Sequence, residues 1–321
     1  MNAPTLRLGS RRSPMAMARS GRVAGVITAR TGRPVDAVGV TTPGDVSPAQ
    51  LDRIGGNGVF VGALREALPG DEVDVAVHSL KDLPTGPAAG IALAAVPPRE
   101  DPRDALVARD GAKLADLPPG ATIGTGSPRR AAQVLRLRGD LRCVPIRGNA
   151  GTRLGKVNSG ELDAVVLARA GLDRIGRADA VTQVFEPDEM LPAPGQGALA
   201  VECRADELEL ALLLGALTCP ADLAAVTAER SLLQALGTGC TAPVGAYAAG
   251  TRPLRMRAAV FGADGRRVLR AHGAAPRDSA ACLTEALRLG REVAAELLRA
   301  GARDLMEVTA SGLCDTPALR W

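Results

Sequence analysis

The sequence predicts an α/β protein built as two doubly wound lobes, followed by a smaller α+β C-terminal domain. Strand-like apolar runs alternate with helical patterns through residues 6–168. Beyond residue 197 the order changes, and one long helical pattern precedes three strand-like runs. A strand, Gly, Ser-Pro, helix opening also occurs twice, once near the start of each lobe. At 321 residues the chain holds two or three domains, at about 150 residues each.

The first lobe reads Leu6–Leu8 as strand and Pro14–Arg30 as helix, then Val35–Thr41, Gly58–Leu68, the apolar strand Val73–Leu80, and Ile91–Val96. The polar stretch Arg99–Asp104 is taken as a crossover. The second lobe repeats the alternation with Thr122–Thr125, Pro128–Arg138, Arg142–Ile146, Thr152–Asn158 and Leu162–Ala168. Leu191 to Gly197, rich in Pro and Gly, suits a return crossover. The third stretch starts with the helical pattern Ala221–Leu236 and continues with strands Val244–Ala248, Leu254–Val260 and Arg267–Ala271. It closes with a helix from about Ser279 to Ala300, stopped by Gly301. The expected domains are 1–98 with 198–216, 103–192, and 220–321.

Composition excludes several classes. Only 2% of residues are aromatic, so a base-stacking surface for nucleic acid has almost nothing to stack on, and no nucleic-acid partner is expected. The net charge is +4, and with Lys81, Lys113 and Lys156 the only lysines, the cations are nearly all arginines, which suit planar carboxylates. Met1–Ser20 lacks an apolar run of signal-peptide length and no stretch reaches about 18 apolar residues, so a cytoplasmic protein with no membrane partner is expected. The six cysteines form no Cys-x-x-Cys pair, which argues against a zinc site or a disulfide scaffold. His78 and His272 are too few for a three-histidine metal centre.

The repeated opening is informative. Gly9-Ser10-Arg11-Arg12-Ser13-Pro14 and Gly124-Thr125-Gly126-Ser127-Pro128-Arg129-Arg130 each lead from a strand into a helix, with Ser as N-cap and Pro at the first helical position. Free backbone N–H groups at such starts attract anions, and each carries two arginines. Arg147 and Arg153 flank a Gly-containing turn that again suits an anion. Lys81 and Asp82 end an apolar strand, where α/β proteins tend to place ligand-binding residues, although a solvated polar turn before Pro84 explains them as well.

Val77-His78-Ser79-Leu80-Lys81-Asp82-Leu83-Pro84, Arg99 to Ala105, Ile146-Arg147-Gly148-Asn149 with Gly151-Thr152-Arg153-Leu154, and Gly195-Gln196-Gly197-Ala198 resemble the hydroxymethylbilane synthase (porphobilinogen deaminase) family. The resemblance runs collinearly from about Leu6 to the final helix, with Cys240 in place. It implies a monomeric transferase of porphyrin and haem (tetrapyrrole) biosynthesis, with two domains like type II periplasmic binding proteins and a third bearing the cofactor cysteine. The family condenses four porphobilinogen molecules head to tail, releasing ammonia at each step. Its primer is a dipyrromethane cofactor joined by a thioether to the residue matching Cys240. A hand-off of product to uroporphyrinogen-III synthase is also contemplated.

Carried over residue by residue, the resemblance makes Asp82 the catalytic carboxylate. It places Arg11, Ser13, Lys81, Thr125, Ser127, Arg129, Arg130, Arg147 and Arg153 at the cofactor with Cys240, and Arg11, Phe60, Arg147, Arg153 and Gln196 at the substrate. The chemistry suits these types. Loss of ammonia from an aminomethylpyrrole leaves a cationic electrophile that a carboxylate stabilises, while acetate and propionate side chains call for arginines. Arg129, Arg130, Arg147 and Arg153 are expected to form one carboxylate-binding wall. Departures from the family pattern are Arg19, Asn57, Gly62 with Ala63, Pro128 and Thr238, the last at a position where a positive φ would be poorly tolerated. The rival reading is a non-catalytic cytosolic anion-binding protein of periplasmic-binding type, which has no use for Cys240 or a third domain.

Overall fold

In the computed structural model, residues 4–40, 58–239, 241–276 and 282–307 are described, with the backbone alone for Pro14 and for residues 58–60. Phe60's side chain, Asn57 and Cys240 therefore lie outside the described structure, as does the start of the final helix as expected from the sequence.

Residues 1–100 with 197–223 form one compact unit, and residues 101–196 with 224–321 form another. The first contains a five-stranded sheet. In chain order its elements are β1 (Leu6–Arg11), α1 (Pro14–Thr31), β2 (Val35–Val40), α2 (Gly58–Ala67), β3 (Val75–Ser79) and β4 (Ile91–Ala95). The second sheet begins with β5 (Asp104–Ala108) and continues through β6 (Thr122–Gly124), α3 (Pro128–Leu137), β7 (Arg142–Val144), α4 (Ala150–Asn158), β8 (Ala164–Ala168), α5 (Arg169–Arg174) and β9 (Gln183–Val184). The chain then returns to the first unit for β10 (Leu199–Arg204) and α6 (Leu208–Gly215).

The sheets share one plan. Strand order is β2-β1-β3-β10-β4 in the first and β7-β6-β8-β5-β9 in the second. The first three strands of each run parallel, and the fourth is antiparallel to its neighbours. In both, that fourth strand is the one that follows a crossover of the chain. The sequence predicts no strand at either place, nor at β9: Asp104 continues the polar crossover into the first residue of β5, and Glu202 breaks the apolar run of β10. Both carboxylates are buried. The helices Arg169–Arg174 and Leu208–Gly215 were likewise not anticipated.

The duplicated openings fold as expected. Ser13 Oγ accepts from Ala16 N at 3.3 Å, Ser127 Oγ accepts from Arg130 N at 3.4 Å, and each helix has its proline in the first turn. The cores are aliphatic. Leu8, Ile27, Val75 and Val77 pack in the first unit and Leu106, Ile123, Val134 and Val166 in the second, each contributing about 1.5–3 kcal/mol by full burial.

The chain enters the second unit again within α7 (Pro220–Ala235), and the rest of that unit contains the antiparallel sheet β11 (Val244–Ala249), β12 (Arg255–Phe261), β13 (Val268–Ala274), and α8 (Leu283–Arg299). A Cβ on Gly290 would stand 2.3 Å from the Ala228 carbonyl, so only glycine lets α8 approach α7 so closely. Ala132 of α3 packs with Ala259 and Phe261 of β12, which merges this sheet and the β5–β9 lobe into one unit. Among the described residues no single helix is long and apolar enough to cross a membrane.

Candidate active site

In the first unit the site residues gather where β1 and β3 end. Arg11 is the last residue of β1, and Ser13 caps the following helix. β3 runs into a single 3-10 turn, Leu80–Asp82, held by Leu80 N donating to Ala198 O at 3.0 Å. That turn buries Leu80, half-buries Lys81 and leaves Asp82 exposed, so its carboxylate is presented rather than packed. Arg19, one of the departures noted above, lies buried below it, donating to Ser79 Oγ at 3.1 Å and to Val77 O at 2.9 Å.

Behind this strand end lies a charged group that the sequence did not single out. Arg65 of α2 donates to both carboxylate oxygens of Glu202, at 3.0 and 2.6 Å, and His78 Nε2 stands 3.2 Å from Glu202 Oε2. Burial pushes the Glu202 carboxyl up, but the close approach of His78 and the hydrogen bonds from Arg65 outweigh it and hold the group down at about 2. Partners 137 residues apart leave no pattern in a linear reading.

In the second unit, adjacent arginines take different places. Arg129 is 3% exposed, and its Nη1 donates to Asp104 Oδ2 at 2.7 Å and to Leu191 O at 2.6 Å. Arg129 is thus turned inward and paired with Asp104, a carboxylate it shares with Arg130. Arg130 Nε donates to Asp104 Oδ1 at 2.9 Å and its Nη1 to Val166 O at 3.2 Å. Burial pushes the Asp104 carboxyl up, yet the charges of Arg129 and Arg130 overcome this and hold it far below the usual carboxylate range. Gln196, expected at the substrate, is fully buried, and its amide nitrogen donates to Pro102 O at 2.7 Å and to Asp104 Oδ1 at 2.9 Å. Its amide thus ties the crossover at Pro102 to Asp104.

Arg147 follows β7 and is exposed, in a turn closed by Asn149, whose Oδ1 accepts from Thr152 N at 2.9 Å to cap α4. Gly148 makes this turn with φ +99°, which a side chain would strain. Arg153 Nε donates to Gly148 O at 2.9 Å. Its pKa is pushed down to about 10, by burial first and then by the like charges of Arg130 and Arg147. A carboxylate bound beside Arg153 would relieve both penalties. Thr125 is buried with its hydroxyl accepting from Ser127 N at 3.2 Å, and Ser127 is half-buried.

The segment before Cys240 accommodates Thr238 without strain. Gly237, with φ +66°, ends α7, and Thr238 N reaches back to Leu233 O at 3.2 Å. The left-handed residue is Gly237 and not Thr238, since Asp71 and Asp110 are the non-glycine residues of positive φ among those described. Pro128 sits where a missing N–H costs nothing. No group of three or more His, Cys, Asp or Glu among the described residues could hold a metal ion.

Comparison with known proteins gives a consistent result. A family model described as porphobilinogen deaminase, dipyromethane cofactor binding domain, matches residues 6–211, and one described as porphobilinogen deaminase, C-terminal domain, matches residues 223–299. The chain is 57% identical to a porphobilinogen deaminase of Thermobifida fusca (strain YX), over 97% of this chain and 99% of that protein. It is 55% identical to porphobilinogen deaminase 1 of Streptomyces coelicolor, over 95% and 98% respectively. Among solved structures it is similar to an ABC transporter periplasmic substrate-binding protein of Coxiella burnetii, with 17% identity, TM-score 0.42, and coverage of 70% of this chain and 96% of that one.

Proposed function

The chain belongs to the porphobilinogen deaminase family, transferases with hydroxymethylbilane synthase activity, and from that premise we propose how its residues divide the work. The reaction is the head-to-tail condensation of four porphobilinogen molecules with release of ammonia at each step. The observation that carries the assignment of roles is Asp82, exposed in the turn that ends β3, in a chain that the porphobilinogen deaminase family models match over residues 6–211 and 223–299.

Arg130, Arg147 and Arg153 bind the acetate and propionate groups of the pyrroles. Arg11 and Lys81 supply further cations, and Ser13, Thr125 and Ser127 supply hydroxyls. The donor set fits a dipyrromethane, whose carboxylates call for several guanidinium groups at once. Bound by a thioether to Cys240, that group supplies the free pyrrole carbon on which the chain grows. A soft thiol can form such a bond without a strongly lowered pKa.

Asp82 accepts pyrrole N–H groups and neutralises the positive charge that develops on the ring as ammonia leaves, then relays the proton released when the ring regains aromaticity. Its exposure at the end of β3 supports this role, because a carboxylate that meets successive rings must remain reachable. Phe60 is assigned to the incoming substrate by resemblance alone. We read the protein as a three-domain cytoplasmic monomer without nucleic-acid or membrane partners, passing its product to uroporphyrinogen-III synthase. The rival anion-binding reading leaves Asp82 and Cys240 without a purpose.

Intact-mass measurement of the purified protein tests the assignment. The mass should exceed that of the chain by two pyrrole units, and Cys240→Ser should lose the increment. An unmodified, fully active wild type would remove Cys240 and the primer from the proposal.

A further inference from the structure

Asp104 opens β5 with no exposed surface and is shared by two arginines. Its Oδ2 takes Arg129 Nη1 at 2.7 Å, while its Oδ1 takes Arg130 Nε at 2.9 Å and lies 2.8 Å from Arg130 Nη2. The Gln196 amide nitrogen reaches the same Oδ1 at 2.9 Å, and its carbonyl accepts from Arg130 Nη2 at 3.4 Å. With Nη1 on Val166 O at 3.2 Å, every nitrogen of the Arg130 guanidinium is fixed in direction. Two positive charges against one negative leave the buried group net positive after its internal pairing. It therefore holds an arginine rigid without cancelling its attraction for an anion.

We infer that Asp104 is the positioning residue of the carboxylate-binding arginines: it fixes the plane of the Arg130 guanidinium and retains Arg129 behind it as a second cation. This rests on the reading of Arg130, Arg147 and Arg153 as the anion-binding set. Asp104 does not touch substrate. It acts through Arg130, and the adjacent Arg129 serves the carboxylate rather than the ligand. Gln196 belongs to the same device, tying Asp104 to the Pro102 carbonyl at 2.7 Å.

The sign of one change separates positioning from bulk electrostatics. Asp104→Asn adds a net positive charge, which by attraction alone lowers the KM for an anionic substrate. Loss of Arg130's orientation raises it. Because two unpaired buried arginines can prevent folding, the decisive variant is Asp104→Asn combined with Arg129→Met, which restores the original charge balance and leaves Arg130 without its carboxylate.

KM and kcat for porphobilinogen are to be measured on the full cofactor-loaded chain, with loading normalised by intact mass. Asp104→Glu, which keeps the charge and moves it by one methylene, serves as the conservative arm, and Arg153→Leu tests the underlying reading. The inference expects KM to rise about tenfold or more in the double variant, with kcat within threefold of wild type and a smaller rise in the same direction for Asp104→Glu. If the double variant does not fold, Asp104→Glu decides alone. A raised KM in Arg153→Leu beside an unchanged or lowered KM in the Asp104 variants would overturn the positioning role. An unchanged KM in Arg153→Leu would instead remove the anion-binding reading itself.

Discussion

Arg19 of α1 donates to the hydroxyl of Ser79 at 3.1 Å, one residue before the turn that carries Lys81 and Asp82. A second bond to Val77 O at 2.9 Å fastens the same helix to the same strand. The residue that departs from the family pattern at this place thus supports the turn carrying Asp82. Arg19→Leu should strand a buried carbonyl and lower stability by about 1–3 kcal/mol, with a severalfold drop in turnover. Arg19→Gln keeps a donor and should retain more of both. Calorimetric Tm and kcat, measured on the two variants, test the ordering.

Asp82 should act at each condensation, so Asp82→Asn is expected to fold normally and to lose turnover by roughly 10²–10⁴. Asp82→Glu retains the charge, displaced by one methylene, and should keep more activity than Asn. Rates normalised to bound pyrrole decide the matter. Wild-type turnover in fully loaded Asp82→Asn would exclude the carboxylate from the chemistry.

Arg129 and Arg153 should fail in different ways. Arg129→Leu leaves Asp104 partly unpaired in the interior and should cost about 3–5 kcal/mol of stability. Arg153→Leu removes a half-buried cation whose pKa is pushed down by burial and by the like charges of Arg130 and Arg147. It should therefore leave stability unchanged or slightly higher, while weakening binding of a pyrrole carboxylate by about 1.5–3 kcal/mol. Urea unfolding and substrate titration on both variants separate the two behaviours, and equal losses of stability would show that Arg153 is structural.

Glu202 provides a pH test. Its carboxyl is held at about 2 in the folded protein against an ordinary 4.5. The depressed folded value means that the stabilisation is complete above pH 4.5 and is lost as pH falls toward 2. For this buried group it is on the order of 3 kcal/mol. The stability difference between wild type and Glu202→Gln should be constant from pH 8 to about 5 and shrink below that. A difference that does not change on acidification would mean that Glu202 is not the ionised partner of Arg65.

Much of the molecule was legible in the chain alone because its signals are local. A Ser-Pro pair caps the helix beginning beside it, an apolar run marks a strand, and a glycine after a helical pattern ends the helix. Ser13, Ser127, Asn149 and Gly301 act within a few residues of themselves. The motifs around Asp82, Arg147 and Arg153 were likewise contiguous, and so were the residues that carried the family resemblance.

Tertiary structure decided what each charge is for. Arg129 and Arg130 are the same residue type in adjacent positions, but a helix turns about 100° between neighbours. Arg129 is thereby committed to Asp104 and the Leu191 carbonyl, whereas Arg130 is held by Asp104 near enough to Arg153 to depress its pKa. Asp104 looked like part of a polar crossover, Glu202 like a break in an apolar run, and Gln196 like a ligand contact. Each is buried beside partners 25 to 137 residues away. Burial and pairing set the state of an ionisable group, and both arise only when distant segments meet, so they carry no periodicity or spacing that the sequence could display.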